Sequence, residues 1–223
     1  MEQLAALCEP SAQTVDAIWG STWADGAGQQ TRLVVAGDIQ ALAGLLKRAN
    51  TDGLAKTAAV TVGPKHSQAD AVYINGPAFV ELSDLGREVV LTHELVHVAS
   101  RATGDWDAPT WLEEGFADYV AYRHTDLTPR QIAEAALDAP LPQALPTKDD
   151  FDAAGSNAAV SYGRSWVAVM LLAERLGGDA AMKSFYERTA HRGIEDAWGS
   201  AGFEDEAAFV QAWREEIQEL RLG

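Results

Sequence analysis

Residues 91–100 read LTHELVHVAS, and two of them, His93 and His97, stand four positions apart. On an α-helix that spacing puts both side chains on one face, one turn apart. Two imidazoles so placed can ligate a single ion at about 2.0–2.1 Å each. Glu94 is rotated about 100° from His93 by helix geometry. It stands outside the ligand pair but can reach a water beside the ion, which is where a general base is needed. The pattern requires a helix, and SDLGREVVLTHELVHVASRAT (83–103) reads as one. Ser83 is its cap, and Val89, Val90, Leu95 and Val96 suit a buried face. A helical histidine pair can also simply hydrogen-bond within a core, so the pair alone does not assign a function.

A catalytic zinc takes three protein ligands and one open position, often two histidines and a carboxylate. The segment WLEEGFADY, in which EGFAD follows HELVH after a gap of sixteen residues, offers Glu113 and Glu114. As helix neighbours they face different ways, and a buried stripe of Leu112, Phe116 and Tyr119 brings Glu114 closer to the motif helix. Asp118 follows Glu114 by four residues, on the same face. It is placed to accept the free N–H of a ligating histidine and so fix its tautomer. Either glutamate also suits an N-terminal turn, where the helix dipole favours negative charge.

HELVH and EGFAD, so spaced, resemble the gluzincin metallopeptidases, the thermolysin-like and aminopeptidase-like group. WLEEGFADYVAYR is similar to their "WL.EGFA" segment, and SYGRSWVAVMLLAERLGG (161–178) to a tyrosine-bearing helix of small peptidase-MA-like domains. The likeness covers about residues 31–220. It implies a zincin-like catalytic domain holding one Zn2+ on His93, His97 and Glu114, with Asp118 orienting His93. It implies hydrolysis of a peptide bond by a metal-activated water, with Glu94 as general base. A tyrosine or histidine on a later helix stabilises the oxyanion in the group. Tyr162 fits that place, with His191 as its rival. The same likeness makes AVYING, before the motif helix, an edge strand that pairs with extended substrate. No segment like the aminopeptidase "G.MEN" precedes His93, so an endopeptidase is expected.

The chain of 223 residues reads as one α+β domain. A small N-terminal mixed sheet occupies about 1–82, and a mainly helical part about 83–223. Strands are expected at TRLVVAG (31–37), TAAVTVG (57–63) and DAVYING (70–76). Ser11 reads as the cap of a short helix to Trp19, and Asp38 as the cap of IQALAGLLKRA. APTWLEEGFADYVAYR has Pro109 in its first turn, and 141–156 reads as a long loop. A strongly apolar helix over 157–178 is closed by Gly177. Shorter helices follow at DAAMKSFYERTAH, IEDAWGSA and EDEAAFVQAWREEIQELR.

The formal charge of −16 would repel phosphate backbones, which argues against nucleic acid as a partner. The expected partner is a peptide or protein substrate. Cys8 is the single cysteine, so no intrachain disulfide forms. The first twenty residues carry no basic n-region or long apolar core and are not a signal peptide. No apolar run approaches a membrane span. The resemblance implies an exported or lipid-anchored actinobacterial parent protein, since similar small domains often come from such proteins, and the high alanine and glycine content is compatible with that source. His66 and His124 read as surface residues. Two other readings stand beside the peptidase: a catalytically silent gluzincin-like module that binds zinc, and a metal-free helical interaction protein. The first predicts zinc without turnover; the second predicts no zinc.

Overall fold

Three short strands, β1 (Leu33–Ala36), β2 (Ala59–Val62) and β3 (Ala71–Asn75), form a mixed sheet. They belong to a computed structural model that describes residues 2–21, 23, 31–63, 71–102, 107–152 and 156–223. The chain folds as two units, residues 1–105 and 106–223. Helices predominate and the sheet is small, an α+β architecture.

In the first unit β3 lies in the middle of the sheet, parallel to β1 and antiparallel to β2. Its composition fits that place. Ala71, Val72, Ile74 and Asn75 are buried and Tyr73 is half-buried, so polar residues do not alternate along it. AVYING is therefore the paired centre of the sheet and not its edge. A strand bonded on both sides has no free ladder to offer a substrate. β2 is the edge strand that packs on the motif helix. At the end of β3 the chain turns at Gly76, where a Cβ would come 2.7 Å from Ala36 O. Only glycine fits so close to the neighbouring strand.

Four helices complete this unit: α1 (Glu2–Trp19), α2 (Ile39–Leu45), α3 (Gly76–Glu81) and α4 (Asp84–Ala102). Asp38 caps α2, its Oδ1 accepting from Ala41 N at 2.7 Å. Ser83 caps α4, its Oγ accepting from Gly86 N at 3.0 Å. Ser11 is not a cap. It is buried in the middle of α1, which begins nine residues earlier and runs through Pro10. Proline before serine imitates a helix start, but packing of α1 along α4 continues the helix past it.

The second unit gathers around α9 (Ser156–Leu176). Against it pack α5 (Thr110–Ala121), α7 (Glu134–Asp138), α8 (Lys148–Asp152), α10 (Asp179–Arg192) and α11 (Glu206–Leu222); α6 (Pro129–Ile132) touches α7 and α11. The closest approach is made by Gly115 of α5, where a Cβ would lie 2.4 Å from Ser165 O. Trp213 of α11 donates from Nε1 to Arg164 O at 3.0 Å. Trp111, Trp198 and Phe209 stack in the core, with the Trp198 and Phe209 rings 4.9 Å apart. Gly177, at φ +92°, ends α9 as expected.

Three local expectations change. Pro109 precedes the first turn of α5 as its N-cap. The span 141–156 is not wholly a loop, because α8 forms within it. There Thr147 N and Oγ1 both donate to Asp150 Oδ2 at 2.7 Å, closing a helical turn directly after Pro146. IEDAWGSA forms turns and a 3-10 turn (Trp198–Ala201), with Trp198 buried as an anchor. Its glycine and short length leave no room for an amphipathic helix.

Candidate metal centre

α4 carries HELVH in its buried middle. His93 and Glu94 are 9% and 7% exposed, and His97 is half-buried. Helix periodicity does what the sequence requires of it: His93 Nε2 and His97 Nε2 lie 3.1 Å apart, with the rings edge to face. Two ligands on a tetrahedral ion at about 2.0–2.1 Å subtend roughly 3.4 Å. The pair is thus near the bite of one metal ion. The same separation also suits a hydrogen bond between one protonated and one bare nitrogen, so the histidine pair does not decide by itself.

The carboxylate does more to decide. One donor atom each from His93, His97 and Glu114 lies within 4.8 Å of the other two, a group that could hold a metal ion. The group takes Glu114 and not its neighbour Glu113. Two imidazole nitrogens and one carboxylate oxygen are a donor set suited to zinc.

The Glu94 carboxylate is hydrogen-bonded to a threonine and does not belong to the ligand group. Its Oε2 accepts from Thr61 Oγ1 at 2.6 Å, and Thr61 Oγ1 is also 3.0 Å from Glu94 O. Thr61 sits on the edge strand β2 and is itself buried. Sequence reasoning missed this residue. It stands 33 positions before Glu94 in a strand of ordinary composition, and no motif marks it.

On α5, Glu114 and Asp118 are half-buried and one turn apart. Burial, and then the Asp118 charge, push the Tyr122 phenol up to about 12. Tyr119 continues the stripe of Leu112 and Phe116, and its hydroxyl donates to Asp179 Oδ1 at 2.9 Å. Burial, followed by that bond and the Asp179 charge, pushes its phenol up to about 12 as well. Arg123 also pairs with Asp179, which ties α5 to the start of α10.

Tyr162 is half-buried on α9, its ring edge to face with Phe151 at 5.1 Å. His191 is exposed in the last turn of α10, and His124 is exposed. His66 lies outside the described residues. None of the described helices is long and apolar enough to cross a membrane. Comparison with family models, with curated proteins and with solved structures found no match to this chain.

Proposed function

We propose that this protein is a zinc-dependent metallopeptidase of gluzincin type, acting as an endopeptidase on peptide or protein substrates, with a zincin-like fold. The observation that carries the reading is the grouping of His93, His97 and Glu114 donor atoms within 4.8 Å, with Glu94 buried on the helix of the two histidines. His93, His97 and Glu114 are the ligands, and Asp118 orients His93 through its second ring nitrogen. A bound zinc supplies an acidified water and a polarised scissile carbonyl. With zinc so held, Glu94 would be the base that accepts a proton from the attacking water and the acid that returns it to the leaving amine. Tyr162 donates to the oxyanion.

Metal content by elemental analysis, together with digestion of a proteome-derived peptide library, tests the reading. One zinc per chain and a reproducible set of cuts are expected. Glu94→Gln should retain the metal and lose the cuts. Zinc with no turnover, and indifference to Glu94→Gln, would make the chain a silent zinc-binding module. A metal-free chain would end both readings.

A further inference from the structure

The geometry points to Thr61 as the positioning residue for the Glu94 carboxylate, an inference that rests on the assignment of Glu94 as the base. The Oγ1–Oε2 separation of 2.6 Å lies in the range of a hydroxyl bonded to an ionised carboxylate, which is about twice as strong as a neutral bond. The hydroxyl has one proton and two acceptors within reach, Oε2 at 2.6 Å and the Glu94 carbonyl at 3.0 Å. The nearer acceptor, the carboxylate oxygen, takes it. Among the described residues Thr61 is the hydrogen-bonding partner of this carboxylate.

A glutamate on a helix has three side-chain torsions to fix before its oxygens have a defined place. Thr61 fixes them from a rigid support. It is β-branched, so its own χ1 is restricted. It stands opposite Val72 in the β2–β3 ladder, so its backbone is held by the sheet. The edge strand thus sets the angle at which the base presents itself, and α4 sets the ligands. The bond also divides the two oxygens: Oε2 is held by the threonine, and Oε1 is the atom that exchanges a proton with water and leaving amine. The threonine keeps its own proton throughout, so it positions and does not transfer.

Thr61→Val removes the hydroxyl at nearly constant shape, and Thr61→Ser restores it. In crystals of the metal-free protein, the Glu94 carboxylate should leave its place in Thr61→Val and keep it in Thr61→Ser. In the zinc-loaded protein, Thr61→Val should lower kcat by about 10- to 100-fold, as for a reacting group displaced by about an ångström. KM and zinc stoichiometry should hold within about twofold, and Thr61→Ser should recover most of kcat. Thr61→Ala repeats both measurements if the valine variant does not fold. A carboxylate unmoved in metal-free Thr61→Val, or a kcat equally low in Thr61→Ser, would overturn the inference. If the unmodified protein cuts nothing, the peptidase reading falls by itself, and the metal-free crystals still decide whether Thr61 holds Glu94.

Discussion

At the scale of single residues, the proposed site separates two adjacent glutamates. Glu113 and Glu114 are both half-buried in the first turns of α5, yet the group of donors includes Glu114 alone. Successive helical residues diverge by about 100°, so one position settles which carboxylate faces the histidines. Glu114→Ala should therefore weaken zinc binding by more than the roughly 10- to 100-fold that loss of an outer partner costs. Asp118→Asn should fall within that smaller range, and Glu113→Ala should leave affinity unchanged. Competition against a chromophoric chelator measures all three. Equal losses for Glu113→Ala and Glu114→Ala would dismiss the assignment of the third ligand.

At the scale of elements, α5 is held by two features that its sequence displays only partly. Gly115 is the point where α5 meets α9. A methyl group there would meet Ser165 O at 2.4 Å and Ser165 C at 2.7 Å, backbone atoms that cannot rotate away. Gly115→Ala should cost about 1–3 kcal/mol through overpacking, read as a lower midpoint in urea with an unchanged slope. The glycine after Glu114 thus has a packing role whether or not the site is catalytic. Further along, Tyr119 and Tyr122 hold their protons to about 12 in the folded chain. Unfolded tyrosine releases its proton near about 10. Between those values the unfolded chain binds fewer protons, so stability falls as pH rises. Below that window the contribution is present in full. Absorbance at alkaline pH should show two tyrosines ionising late, with unfolding beginning in the same interval. Ionisation of all five tyrosines near about 10 while the fold persists would contradict the burial of this stripe.

At the scale of the whole molecule, the proposed metal site would link metal binding to folding. A ligand that binds only the folded state stabilises it by about 2.7 kcal/mol at a hundredfold excess over its Kd. Chelation should therefore lower Tm, and zinc should restore it; a Tm indifferent to both would mean that no metal is held. Much of this molecule is legible from its sequence because the signals are local. The four-residue histidine spacing, the caps at Asp38 and Ser83, and the glycine that ends α9 each act within one or two turns of chain. Local geometry needs no knowledge of distant partners, and so the sequence alone determined the long helices, the strands and the pairing of His93 with His97. Tertiary structure alone decided which strand lies in the centre of the sheet, because pairing order depends on chain folding over tens of residues. It alone brought Thr61 to Glu94. That contact joins residues 33 positions apart, a separation that leaves no periodic trace, and only packing brings them within hydrogen-bonding reach.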